Sequence, residues 1–164
     1  TRPLLELGYN VHLARSLAAM RESIIVIRGV LSGKAFSYQA ATINFDVRDK
    51  MLGLKPVREA VPIYIGASSD KMLRMTGEIA DGLIITSSAS ISGDFIRHAI
   101  ILLEEGATQA GRNPADIDIV SYPVISISRD SKKAKNSVKP VVATRMARDH
   151  FGRTWKRVVY ALKA

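Results

Sequence analysis

The amino-acid sequence predicts an α/β fold in which parallel strands alternate with helices. Short apolar runs are separated by amphipathic segments of helical length, which is the pattern of β–α–β units. The apolar runs show no polar alternation, as expected for a parallel sheet that is covered on both faces. The chain has 164 residues, whereas a complete (β/α)8 barrel needs roughly 250. The sequence therefore predicts one segment, residues 1–164, of a partial TIM-type barrel.

The first predicted helix begins near Ser16, which is a candidate N-cap. Apolar residues recur at helical spacing along this helix, and Gly33 marks its end. Residues 35–46 have β-forming residues at both ends and residues of weaker β propensity between them, which predicts a small β-hairpin insertion. Residues 47–60 contain no comparable pattern and are interpreted as a loop.

The centre of the chain predicts the clearest β–α–β unit. The apolar run 62–66 predicts a buried strand, residues 70–80 predict a helix, and residues 81–86 predict a second apolar strand. Ser68 or Ser69 is expected to cap the helix, because serine hydroxyls accept hydrogen bonds from the first free backbone N–H groups.

The C-terminal part predicts two more helices and a third strand. Residues 92–111 form an amphipathic helix pattern that stops at Gly111. Residues 117–128 are largely apolar and predict a strand. Residues 130–150 predict a last helix, in which Pro140 is a candidate kink.

The positive charge of the chain is concentrated in one region. The formal net charge is +9, and the whole excess lies in residues 129–164, which form a basic helical tail. A basic tail can bind nucleic acid. This tail contains no Gly-rich basic repeat, and we interpret it as a solvated helix face and not as a nucleic-acid site.

The composition excludes several kinds of chemistry. The chain contains no cysteine, which excludes disulfides, thiolate metal sites and cysteine nucleophiles and fits a cytoplasmic protein. The three histidines do not have the spacing of metal ligands, and neither a nucleophile elbow nor a Walker loop is present. No signal peptide or membrane-length apolar run is visible, so no membrane partner is expected.

Three stretches, taken in order, resemble the bacterial luciferase-like superfamily. They are residues 17–45, 61–86 and 111–143, and the most specific part reads "PIYIGASSDKMLRMTGEIADGLI". The resemblance is strongest to the coenzyme F420-dependent branch that includes methylenetetrahydromethanopterin reductase. It implies a (β/α)8 barrel that transfers hydride, or activates oxygen, through a bound deazaflavin or flavin. The chain corresponds to the later half of such a barrel.

The resemblance also implies a cofactor-binding loop. Gly66, Ala67, Ser68 and Ser69 are four small residues at a corner between a strand and a helix. Backbone N–H groups and the helix dipole at such a corner favour an anion. In F420-using relatives the matching loop holds the cofactor's phosphate tail. The residues alone favour a tight turn with a serine cap and no ligand, because helix caps are more common than anion sites, and it is the resemblance that favours the cofactor site.

Two further candidates lie at the end of the next strand. Thr86 and Ser87 are expected on the rim where (β/α)8 barrels carry their active sites, and the resemblance implies that they contact cofactor or substrate. An ordinary polar end of the strand explains these two residues equally well. Tyr64 is interpreted as a core residue, and Asp81 and Gly82 are interpreted as a structural turn. The family's acid–base residues come mainly from early strands, so no catalytic residue is assigned.

These observations predict an oxidoreductase that transfers hydride between F420, or alternatively FMN, and a small carbon substrate. The alternative is a non-catalytic half-barrel that associates with itself or with a partner chain. In both cases a three-stranded parallel sheet leaves two free edges, which predicts a homodimer or binding to the missing N-terminal half of the barrel. Apolar strand residues, including Ile65, Leu83 and Ile85, are expected on the open inner face.

Overall fold

The computed structural model describes residues 15–43, 46–51, 53, 56–58, 60–85 and 93–148. Within them the chain forms the strands β1 (Phe36–Gln39), β2 (Asp46–Lys50), β3 (Tyr64–Gly66), β4 (Gly82–Ile85) and β5 (Asp118–Ser121). The helices are α1 (Ser16–Leu31), α2 (Asp70–Ile79), α3 (Gly93–Gln109), a 3-10 turn (Pro114–Asp116) and α4 (Ser131–Arg148). The order of these elements confirms the predicted α/β alternation.

A parallel sheet forms the centre of the fold. Its strand order is β3–β4–β5, and both neighbouring pairs are parallel. Helices α2 and α3 connect successive strands, so each crossover is a β–α–β unit. This arrangement confirms the predicted partial barrel.

One face of the parallel sheet packs against α2 and α3. Ile65, Leu83 and Ile85 lie on this face and are at most 3% exposed. They share one core cluster with helix residues that include Leu73, Met75, Leu102 and Leu103. The expectation that these strand residues face the inside of the barrel is therefore wrong, because a strand that is apolar throughout gives no alternation from which to assign its faces.

Helices α2 and α3 approach each other closely at two glycines. A Cβ atom on Gly77 of α2 would lie 2.0 Å from the backbone oxygen of Leu103, and one on Gly106 of α3 would lie 2.0 Å from that of Arg74. Since real Cβ atoms do not come within 3.0 Å of a neighbour, these positions require glycine at the present helix separation.

Helix α1 begins slightly earlier than the sequence indicates. Arg15 occupies the N-cap position and Ser16 is the first helical residue, with no side-chain hydrogen bond at the cap. After the helix, Gly33 adopts a positive φ of 70°, which suits the predicted end of the helix.

The predicted hairpin exists but extends further than residues 35–46. Strand β1 pairs antiparallel with β2, and Phe36 lies opposite Lys50. The interpretation of residues 47–50 as loop is therefore wrong. Apart from the buried Val47, β2 is polar, and its strand character comes mainly from pairing with β1.

A buried carboxylate joins this hairpin to α1. Glu22 is 9% exposed and accepts hydrogen bonds of 2.9–3.1 Å from the backbone N–H groups of Ala41, Thr42 and Ile43. Burial raises the pKa of Glu22, but the backbone hydrogen bonds outweigh it and the pKa is lowered.

The third strand is shorter than predicted. Strand β5 ends at Ser121, although residues 117–128 were all expected to be strand. Pro123 has no N–H group, so it cannot continue a ladder of hydrogen bonds.

The last helix, α4, contains Pro140 as predicted and begins next to Asp130, whose side chain accepts from the N–H of Lys132. Among the described residues, no helix combines the length and apolarity that crossing a membrane requires.

Candidate functional site

The four predicted small residues lie together at the carboxyl end of β3. Gly66 is the last residue of the strand and Ser69 directly precedes α2. Gly66, Ser68 and Ser69 are exposed, whereas Ala67 is only 4% exposed and anchors the loop in the core. A Cβ on Gly66 would meet no atom within 4 Å, so the backbone is open to approach at this point.

Ser69 is at the N-cap of α2, as one of the two predicted alternatives stated. Its backbone is extended (φ −97°, ψ 147°), and its carbonyl oxygen accepts the first helical bond from Leu73 at 2.9 Å. Its hydroxyl makes no capping hydrogen bond. The N–H groups of the first helical turn have no partners within the helix, and this serine side chain does not satisfy them.

A carboxylate beside this loop is paired with a histidine. The Asp70 Oδ1 atom lies 3.1 Å from the Nε2 atom of His98 on α3. Asp70 would repel a bound anion, and a protonated His98 would offset that repulsion. Sequence reasoning missed this pair, because His98 looks like an ordinary residue of an amphipathic helix and its partner lies on another helix.

The two other predicted site residues, Thr86 and Ser87, lie outside the described residues. The described part of β4 ends at Ile85, and its neighbour Ile84 is aligned with Gly66 of β3. The carboxyl ends of both strands thus meet at one edge of the sheet. The assignment of Thr86 and Ser87 to the site stays a prediction.

Asp81 organises the opposite, amino-terminal edge of the sheet. Its carboxylate accepts a hydrogen bond of 2.8 Å from the Ile63 N–H and forms an ion pair of 2.9 Å with Arg28 of α1. Burial raises the pKa of Asp81, but the Ile63 and Arg28 contacts and the charge of Arg112 outweigh it and lower the pKa. These contacts agree with a structural role, and Arg28 is the partner that sequence reasoning missed.

A cleft of about 660 Å³ opens at this same edge, and its lining includes Arg28, Asp81 and Arg112. The cleft lies at the end of the sheet opposite to the small-residue loop. Arg28 pairs with Asp81, and Arg112 donates to the Gly77 carbonyl oxygen at 2.7 Å. Its charged groups therefore hold α1, α2 and the sheet together. In the described part of the chain, no three acidic or histidine side chains group as metal ligands.

Comparison with protein families gives one match over nearly the whole chain. The profile described as luciferase-like monooxygenase matches residues 4–160. The chain is 39% identical over 129 residues to the 5,10-methylenetetrahydromethanopterin reductase of Methanolobus tindarius, covering 77% of this chain and 37% of that protein. It is 30% identical over 115 residues to an F420-dependent glucose-6-phosphate dehydrogenase of Microbacterium testaceum, covering 70% of this chain and 33% of that protein.

A solved structure agrees with these matches. The coenzyme F420-dependent tetrahydromethanopterin reductase of Methanopyrus kandleri superposes with a TM-score of 0.69 at 31% identity, covering 78% of this chain and 36% of that chain. The chain thus spans little more than a third of the length of the relatives that it matches.

Proposed function

The chain belongs to the luciferase-like monooxygenase family, and we propose that it forms the cofactor-binding part of a coenzyme F420-dependent oxidoreductase. The reaction is hydride transfer between F420 and a small carbon substrate, as in the methylenetetrahydromethanopterin reductases that it resembles. FMN is the alternative cofactor. The observation that carries the proposal is the open small-residue loop from Gly66 to Ser69 at the carboxyl end of β3.

The described residues of this loop fit the phosphate-bearing part of such a cofactor. Gly66 leaves open space where another residue would place its side chain. The first N–H groups of α2, which lie outside the hydrogen bonding of the helix itself, and the hydroxyls of Ser68 and Ser69 are hydrogen-bond donors for phosphate oxygens. When bound, the deazaflavin supplies the hydride chemistry. The residues of this chain bind and orient it.

Charge around the loop modulates anion binding in this proposal. The Asp70 carboxylate opposes a phosphate, and its pairing with His98 at 3.1 Å reduces that opposition most when the imidazole is protonated. Lys71 is exposed in the first turn of α2 and adds positive charge near the same helix end. The helix dipole acts in the same direction.

The sheet also needs further strands in this proposal. Within the described residues, β3 and β5 each pair with β4 alone. Every residue of β5 is exposed, including Ile119 at 41% and Val120 at 42%. An edge of this kind is covered in stable proteins. We assign its cover to the remaining strands of the barrel, or to a second copy of the chain in a homodimer.

The cofactor site is tested by replacing Gly66 with valine. The new side chain would occupy the open space next to the loop, and because valine suits a strand position, the fold should persist. F420 binding, followed by absorbance and fluorescence titration, should be lost, whereas the circular dichroism spectrum should not change. Gly53→Val is the matched control, since a Cβ at Gly53 also meets nothing within 4 Å.

Two results would contradict the proposal in different ways. If the wild-type chain binds neither F420 nor FMN, the chain alone is not a cofactor-binding unit, and the non-catalytic half-barrel becomes the preferred function. If Gly66→Val binds F420 as the wild type does, the loop is only a turn and the cofactor lies elsewhere.

A further inference from the structure

A hydrogen bond spans the full width of the parallel sheet at its amino-terminal edge. Tyr64, Gly82 and Asp118 are the first residues of β3, β4 and β5, and they are aligned side by side. The Tyr64 hydroxyl donates to the Asp118 carboxylate, two strands away. The ring therefore lies across Gly82, where a Cβ would be 2.2 Å from it. This contact explains why β4 begins with glycine.

The Tyr64 side chain lies on the face of the sheet that is turned away from the helices. Ile65 and Leu83, the next residues along their strands, are buried in the cluster with α2 and α3. Because side chains alternate along a strand, Tyr64 and Gly66 both lie on the other face. In a closed (β/α)8 barrel this face lines the interior. Gly66 is two residues further along, about 6.6 Å closer to the carboxyl end.

The layer above the tyrosine ring is incomplete. It is made of the aligned residues Gly66, Ile84 and Val120, and Gly66 contributes no side chain to it. The interiors of (β/α)8 barrels are normally filled by layers of bulky side chains. A Cβ at Gly66 would meet no atom within 4 Å, so in a closed barrel β3 would leave space open between the Tyr64 ring and the small-residue loop.

The chemistry of the lower layer also indicates a ligand cavity and not a dry core. Burying a carboxylate without enough hydrogen bonds is costly. An aspartate accepts about four hydrogen bonds, and the Tyr64 hydroxyl supplies one to Asp118. Inside a barrel, the remaining acceptor positions need donors from water, from a ligand or from neighbouring strands.

We propose that Tyr64 and Asp118 form the polar floor of the cofactor cavity, with Tyr64 as a positioning residue that supports the deazaflavin of F420 from below. The inference rests on the proposed function. Asp118 holds the ring across Gly82, and the ring limits how deeply the cofactor enters. The Tyr64 hydroxyl is protonated at neutral pH at its ordinary pKa, and the hydrogen bond to Asp118 raises that pKa further.

The proximity of Tyr64 to the cofactor is tested by fluorine NMR. Labelling with 3-fluorotyrosine marks the five tyrosines of the chain, and the Tyr64 signal is the one that disappears in Tyr64→Phe. Titration with F420 should shift this signal and leave that of Tyr38, on the hairpin, in place. A role in folding alone would not make the Tyr64 signal respond to the cofactor.

The coupling between Tyr64 and Asp118 is tested by measuring the affinity of variants for F420. Tyr64→Phe and Asp118→Ala should each weaken F420 binding about tenfold, because either change releases the ring from its position across Gly82 and the cofactor then loses its support. The double variant should be no weaker than about tenfold, because both changes remove the same contact. Tyr38→Phe is the matched control and should bind normally. Circular dichroism confirms that each variant is folded.

The possible results separate the inference from the proposed function. If F420 binds but the Tyr64 signal stays in place, or if the two losses of affinity add, the floor is refuted and the proposed function stands. If the wild-type chain does not bind F420, both are refuted.

Discussion

Replacing Gly77 with alanine should separate α2 from α3 and destabilise the fold. The new Cβ would lie 2.0 Å from the Leu103 carbonyl oxygen, whereas ordinary contacts begin at 3.4 Å. The helices would have to move apart by roughly 1.4 Å, and overpacking of this kind costs up to about 3 kcal/mol. Alanine gains about 1 kcal/mol in helix propensity over glycine. The expected net loss is therefore about 2 kcal/mol.

Thermal and urea unfolding of the chain measure this loss. For a domain of this size, about 2 kcal/mol lowers Tm by roughly 4–8 °C. Gly93→Ala is the control, because its Cβ would meet only the flexible end of Arg97 at 3.6 Å, and it should be neutral or slightly stabilising.

Combining Gly77→Ala with Gly106→Ala tests the shared cause. Once one alanine has separated the helices, the second should cost less, so the two losses should not add. If Gly77→Ala stabilises the chain as an ordinary helix substitution does, the close contact of α2 and α3 is refuted.

Four further predictions concern other parts of the molecule. Because folding lowers the pKa of Asp81, the contribution of its carboxylate to the stability of the fold should be complete above the ordinary pKa of 3.8 and should be lost as pH falls through the folded-state pKa. The free energies of urea unfolding of wild type and Asp81→Asn should therefore differ at neutral pH and converge in acid. A difference that does not change with pH would contradict this. Glu22→Ala should speed amide hydrogen exchange in the segment Ala41–Ile43, and unchanged exchange would show that the hairpin holds this segment without the carboxylate. Light scattering at micromolar concentration should find the chain associated, whereas a monomer that melts cooperatively would show that its sheet edges are capped internally. Duplex DNA binding by the basic tail should be weak at physiological salt, and submicromolar affinity there would favour the nucleic-acid interpretation.

Much of the fold could be predicted from the sequence because it depends on neighbours along the chain. Helix periodicity located α1, α2 and α3, and alternation of apolar runs with helices indicated the parallel sheet. The loop from Gly66 to Ser69 was also visible, since small residues at a strand-to-helix corner are contiguous. The block from Pro62 to Ile84 was sufficient to indicate the family.

Other features became visible only in the tertiary structure. Apart from Val47, strand β2 is polar and forms by pairing with β1, so its own sequence does not show the pattern of a strand. The strands of the parallel sheet are largely apolar on both faces, and only packing against α2 and α3 decides that Ile65 faces the helices and Tyr64 the opposite side of the sheet.

Two side-chain contacts join residues that are far apart in the sequence and could not be predicted from it. The Tyr64–Asp118 hydrogen bond depends on the register of three strands, and the Asp70–His98 pair depends on how two helices cross. Register and crossing are set by the sum of many core contacts. A one-residue slip of a strand would turn Tyr64 towards the helices, so the face on which it lies is decided by the assembled sheet and not by the residues beside it.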